Sequence, residues 1–125
     1  MLNVIKTDKA PGAIGPYSQA IEVNGMVFTS GVIPIVPATG KLVEGGVEEQ
    51  AKQAIGNLVA LVEASGSSVD KIVKTTVFIK NMDDFGKINA IYADFFKEPY
   101  PARSCVEVAR LPKDVLIEIE AVAAK

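Results

Sequence analysis

The chain is 125 residues long, 49% apolar and 22% charged, with a net charge of −2, one cysteine and no histidine. That size fits one domain over residues 1–125, able to bury roughly two-thirds of its unfolded surface. Without histidine there is no Ser–His or Cys–His nucleophile pair and no zinc site of the usual kind, and the lone Cys105 permits no internal disulfide.

Other function classes are disfavoured by what the chain lacks. Its small negative charge and scattered Lys and Arg give no reason to expect nucleic acid or an anionic membrane as partner. A single thiol makes a reducing compartment, the cytoplasm, the default. The N-terminus has no signal-peptide core, and no apolar run is long enough to span a membrane. Acid–base chemistry must fall to carboxylates, Tyr, Lys or the thiol.

In chain order, Asn3 to Thr7 reads as a short strand and Ala10 to Pro16 as an irregular Pro/Gly loop. Ser18–Val23 and Met26–Ser30 are strands joined at Asn24-Gly25, a pair suited to a two-residue hairpin turn that needs positive φ twice. Gly31 to Gly46 reads as a long loop punctuated by Pro34, Pro37 and Gly40. Val47 to Ala64 carries Val47, Ala51, Ala54, Ile55, Leu58, Leu61 and Val62 at the spacing of one buried helical stripe, with Gly66 as its C-terminal cap. Val73–Ile79 is a fourth strand, rich in β-branched residues. Asn81 or Asp83 caps a second helix running to Phe96, and Pro99 and Pro101 end it. Asp83-Asp84 is the one obvious carboxylate pair for a magnesium ion. Acidic residues at a helix start are the simpler reading, so no metal is expected.

The stretch from Pro101 to Ala121 holds the chemistry. Two runs of period-two alternation flank a break at Ala109–Asp114. In the first, Arg103, Cys105 and Glu107 share a face; in the second, Leu116, Glu118 and Glu120 do. The break reads as a hairpin loop. Pairing that closes it symmetrically sets Cys105 opposite Glu118 and Arg103 opposite Glu120, about 5 Å apart at Cβ. The fold expected is α+β: a single mixed six-stranded sheet with two helices on one face, because two strand–helix–strand crossovers of the usual hand put both helices on the same side. The other face would carry Phe28, Ser30, Lys74, Thr76, Phe78, Arg103, Cys105, Glu107, Leu116, Glu118 and Glu120. That mix suits closure by further copies of the chain.

Several motifs in order resemble the YjgF family, also called Rid, the reactive intermediate (imine/enamine) deaminases. They are Gly15-Pro16-Tyr17-Ser18-Gln19, Thr29-Ser30-Gly31, Val73 to Phe78, Asn89-Ala90-Ile91-Tyr92, Pro101-Ala102-Arg103-Ser104 and Ile117-Glu118-Ile119-Glu120-Ala121. The resemblance implies a fold like the small trimeric chorismate mutase, a homotrimer with clefts between subunits, and no cofactor. It implies hydrolysis of 2-imino acids or their enamine tautomers, such as 2-iminobutanoate and 2-iminopropanoate, to 2-oxo acids and ammonia, a form of metabolite damage control. It assigns Arg103 to the substrate carboxylate, Glu118 to the attacking water and Tyr17 to the catalytic set. Cys105, Ser30, Gly31 and Asn89 would bind substrate. The connection Lys97-Glu98-Pro99-Tyr100 is shorter than in many relatives.

Plainer readings compete. Arg103 could form a structural ion pair with Glu107 or Glu120, and Cys105 could be an inert small hydrophobe lining the site. Tyr92 and the Phe residues are most simply core. A non-catalytic sensor or chaperone-like binding protein would use the same clefts, needing Arg103 but not Glu118.

Overall fold

A computed structural model describes residues Met1–Lys125. The strands are β1 (Asn3–Ile5), β2 (Ala20–Val23), β3 (Met26–Thr29), β4 (Ile35–Val36), β5 (Lys41–Leu42), β6 (Ile72–Ile79), β7 (Ala102–Glu107) and β8 (Ile117–Ala124). The helices are α1 (Val47–Ala64) and α2 (Phe85–Phe95). Six strands form one sheet in the order β1-β2-β3-β8-β6-β7, and β4 pairs with β5 in a separate ribbon. Only β6 and β7 run parallel. This is the α+β architecture expected, a mixed six-stranded sheet backed by two helices. Neither helix is long and apolar enough to cross a membrane.

Local chemistry explains the elements. Asn24 and Gly25 take φ of 52° and 74°, and Val23 pairs with Met26 across them. At the start of α1 the Glu49 side chain accepts from the Gly46 N–H at 2.9 Å. At its end Gly66 adopts φ 89°, and the Gly66 and Ser67 N–H groups bond back to Glu63 and Val62, a Schellman closure. Ile55, Leu58 and Val62 on its inner stripe are fully buried. Asn81 caps a 3-10 turn by accepting from the Asp83 N–H, so Asp83 and Asp84 lie in the lead-in to α2. The segment read as one long loop contains the β4–β5 ribbon, two residues a side.

The closing hairpin does not form. β7 and β8 are not neighbours, because β6 lies between them. The segment between them passes around the end of β6, where Val108 bonds to Ile79 and Lys80 to Leu116 through the backbone. After α2 the chain returns parallel to β6 and occupies its free edge, as a right-handed crossover requires. β8 then fills the slot between β3 and β6. Cys105 consequently pairs with Val77, not Glu118, and Arg103 pairs with Thr75, not Glu120.

This changes which residues share a face, since directly paired residues point to the same side. Arg103, Cys105 and Glu107 align with Thr75, Val77 and Ile79 on the helix side. Glu118 and Glu120 align with Phe78 and Thr76 on the open side. In β8, Ile117, Ile119, Ala121 and Ala123 are buried while Glu118, Glu120 and Val122 are half-buried. The expectation that Arg103, Cys105 and Glu118 share one face is therefore wrong within a single chain. The open side carries Phe28, Lys74, Thr76 and Phe78 as expected, and adds Val4, Ser104 and Val106. Val4, Phe28 and Val106 are 60%, 45% and 42% exposed, an apolar surface on a face no helix covers.

Candidate active site

Two groups of side chains stand out, one between β7 and α2 and one around the residues that follow β3. The first is built by β7 and α2. Phe85, Asn89 and Tyr92 lie at i, i+4 and i+7 along α2, so they form one stripe. Arg103 on edge strand β7 reaches that stripe. Its Nη1 donates to Asn89 Oδ1 at 2.7 Å, and its guanidinium carbon sits 4.7 Å from the Tyr92 ring centroid and 5.5 Å from that of Phe85. Tyr92 is itself fixed by a 2.8 Å bond between its hydroxyl and that of buried Thr75. Arg103 takes part in neither ion pair of the chain, which are Arg110–Asp114 and Lys125–Glu22. Glu107 instead accepts from the Met82 N–H, and Glu120 is on the far side of the sheet. Arg103 thus has no carboxylate partner within its own chain. A cleft beside it is lined by Tyr92, Ala93, Tyr100 and Pro101, so Tyr100 of the short connection forms part of its wall.

Cys105, two residues along the same strand, packs against the edge of the core. Burial pushes its thiol above the usual range, against the pull of the Arg103 charge. A protonated, half-buried thiol is a poor nucleophile.

The second group sits where β3 runs on into residues 30–32. Val32 pairs with Ile119 through two backbone bonds, which extends the sheet beyond Thr29. The Ser30 hydroxyl donates to the Ser18 carbonyl at 2.6 Å. Tyr17, Ser30 and Gly31 line a cavity of about 370 Å³, with Ile33, Pro112 and Lys113 among its other walls. Its outer wall, residues 7–11, is held by buried Gln19. That side chain accepts from the Thr7 N–H at 2.9 Å and donates to the Thr7 and Pro11 carbonyls at 3.0 and 2.8 Å. Tyr17 is half exposed, and its hydroxyl accepts from the Ile14 N–H at 3.4 Å.

Glu118 reaches this group from β8. A methyl group placed on Gly31 would fall on the Glu118 Oε2 and 2.8 Å from its Cδ, so the carboxylate lies directly against the glycine backbone. Burial raises the Glu118 carboxyl above the ordinary range, with the like charge of Glu120 adding to it. Gly31→Ala is expected to push this carboxylate aside without straining the backbone, lowering kcat about 100-fold while the fold survives. Steady-state rates beside a melting curve would check it, and wild-type turnover would show that this placement of Glu118 does not matter.

The structure therefore brings together Arg103 with Asn89, and Gly31 with Glu118 beside the cavity that Tyr17, Ser30 and Gly31 line, but separates Arg103 from Glu118. Sequence reasoning missed Tyr92 and Phe85 as partners of Arg103 and Lys113 at the cavity. The helical spacing from Asn89 was the available signal for the first two. No group of three or more Cys, Asp or Glu side chains is arranged to hold a metal ion.

Residues 7–125 match the sequence model of a family described as endoribonuclease L-PSP. The chain belongs to the YjgF/Rid family. A 2-iminobutanoate/2-iminopropanoate deaminase of Salmonella typhimurium is 55% identical over 128 aligned residues, covering 100% of this chain and 99% of the relative. The crystal structure of a Rid-family protein from Yersinia pestis superposes with a TM-score of 0.97 at 52% identity, covering both chains fully. That of Escherichia coli TdcF with bound serine gives 0.93 at 52% identity, covering 98% of each chain. The Rid fold is thus shared in full, while the names differ between an endoribonuclease family and a deaminase.

Proposed function

We propose that this Rid-family chain hydrolyses 2-imino acids to 2-oxo acids and ammonia. The observation that carries the reading is Arg103. It is a guanidinium held in place by Asn89 and two aromatic rings, with no acidic partner in its chain. Its two-pronged donor fork matches a carboxylate. TdcF, similar along 98% of each chain, has a crystal structure with bound serine, which also carries an α-carboxylate.

Arg103 and Glu118 lie on opposite sides of one sheet, so a site using both needs two chains. The open face with its exposed Val4, Phe28 and Val106 is the surface on which a further copy would pack. The assembly proposed is a homotrimer with a cleft at each subunit boundary. Arg103, Asn89 and Cys105 come from one chain, and Tyr17, Ser30, Gly31 and Glu118 from its neighbour.

In such a cleft Arg103 binds the substrate carboxylate and leaves C2 of the imine facing Glu118. In the protonated imine a water gives a proton to Glu118 as its oxygen bonds to C2 and the C=N pair moves to nitrogen, producing a neutral tetrahedral carbinolamine. Glu118 then returns that proton to nitrogen and takes the hydroxyl proton as the C–N bond breaks, so that ammonia leaves with the C–N pair and the carbonyl forms. A carboxyl raised by burial is the stronger base for the first step and the ready acid for the last. No step draws on a metal or cofactor. The endoribonuclease reading finds no histidine and a net negative chain.

The test is a coupled assay in which a threonine dehydratase generates the imine and 2-oxo acid release is followed. The expected result is a faster release with this protein than without. The rate should fall on acidification with a midpoint above the ordinary glutamate range, because Glu118 must lose its proton to act. Glu118→Gln should bind a small carboxylate yet not speed release. A wild-type protein that binds but never accelerates release would instead favour a sensor.

A further inference from the structure

We propose that Tyr92 is a positioning residue for the carboxylate anchor, its ring face acting as the platform that sets the direction of the Arg103 fork. The inference rests on the anchor role given to Arg103 above.

Three observations lead to it. Arg103 lies on an edge strand and is exposed, so nothing in the sheet itself fixes its long side chain. An unrestrained arginine would lose rotamer entropy on clamping a ligand. The guanidinium is instead already placed, 4.7 Å from the Tyr92 centroid, closer than its 5.5 Å approach to Phe85. Second, the ring that carries it is itself held at both its face and its hydroxyl. Phe96 stacks on it with centroids 4.2 Å apart, and its hydroxyl is tied to Thr75, a fully buried residue at the centre of β6. Third, Tyr92 and Arg103 line the same cleft. A buried tyrosine usually needs a partner for its hydroxyl. Here that partner lies in the sheet, which turns the ring face toward the one arginine of β7.

The division of labour follows. Asn89 occupies Nη1 from one side and fixes the fork about its axis. The Tyr92 ring attracts the cation through its quadrupole without competing for N–H donors, so Nε and Nη2 remain free for a bidentate partner. A carboxylate neighbour would hold the arginine as well but would occupy the donors that the substrate needs.

Substitution separates this from a packing role. Tyr92→Phe keeps the ring and loses only the bond to Thr75; Tyr92→Met fills much of the volume with an adaptable side chain and removes the face. Each is assayed on dehydratase-generated imine and by inhibition with butanoate and with the uncharged butanamide. Tyr92→Met is expected to raise KM and the butanoate inhibition constant about 3- to 30-fold, the range of a partly to fully desolvated cation–π contact, with kcat nearly kept and butanamide unaffected. Tyr92→Phe should stay within about threefold of wild type for both. The proposal is overturned if Tyr92→Met leaves butanoate inhibition unchanged, if butanamide weakens in parallel, or if Tyr92→Phe is as impaired as Tyr92→Met. Should the methionine variant fail to fold, Tyr92→Leu supplies the same comparison, and the phenylalanine result alone still decides between ring face and hydroxyl. Arg103→Ala in the same inhibition assay keeps the two claims distinct. If it leaves butanoate binding intact, the anchor role fails and this inference with it. If it abolishes binding while Tyr92→Met does not, only the platform role is lost.

Discussion

Arg103→Ala is expected to abolish most imine hydrolysis while leaving the protein folded and assembled. The substrate carboxylate gives up water to enter the cleft, and losing its cationic partner costs about 2–5 kcal/mol, or roughly 30-fold to several-thousand-fold in kcat/KM. The structural cost is small because Arg103 balances no carboxylate of its own chain. What the fold loses is one hydrogen bond to Asn89 and a partly exposed contact with two rings, about 1 kcal/mol, which lowers the melting temperature by a few degrees at most in a domain of this size. A structural ion pair would show the reverse pattern, because its loss strands a charge and destabilises the fold. Turnover of dehydratase-generated imine and light scattering on the same sample distinguish the two. Activity within a few-fold of wild type in a correctly assembled variant would falsify the anchor role.

The second large effect is a gain. Arg103→Ala and Glu118→Gln proteins should each be nearly inactive alone, and mixing them through an unfolding and refolding step should restore turnover. Each proposed cleft takes its arginine from one chain and its glutamate from the next. In randomly assembled equal mixtures, about one quarter of clefts then receive both intact residues, giving about a quarter of wild-type activity. A site wholly within one chain cannot be rescued this way, since every chain carries one lesion. Mixtures no more active than their components would sink the two-chain site, and light scattering would show whether three chains are present.

The sequence was most legible where signals were local and redundant. α1 has its bounds as expected because an 18-residue apolar stripe, Glu49 at the start and Gly66 at the end all agree. Asn24-Gly25 specified its turn alone. The partner of β7 was not legible. Alternation says that Arg103 and Cys105 oppose Ser104 and Val106, but it does not say which strand lies alongside. Placing Arg103 and Cys105 on the face opposite the helices assumed that only the helix side of the sheet is apolar. The open side is apolar too, with Phe28, Phe78 and Val106 on it, so the more polar residues of β7 turn toward α2, where aromatic faces receive Arg103. Glu118, expected opposite Cys105, is a half-buried carboxylate paired with Phe78. The β4–β5 ribbon is two residues a side, too short to leave a period. Tyr92 was read as core, and one face of its ring is; the other face meets Arg103.

Gln19 has a consequence for how such a cleft changes over time. All three of its strong bonds to the outer wall end on main-chain atoms, the Thr7 amide and the Thr7 and Pro11 carbonyls. The wall is therefore gripped by its backbone, and the clasp is indifferent to which side chains the wall displays. Ala10 and Pro11 line the cavity from that wall, and Gly12 and Ile14 from the chain just beyond it. Pro11, Gly12 and Ile14 are free to vary and to reshape that cavity without loosening the scaffold behind them, whereas Ala10 is packed into the core. Tolerance for mutation is concentrated in the exposed part of that wall, and intolerance in a single buried amide one strand away.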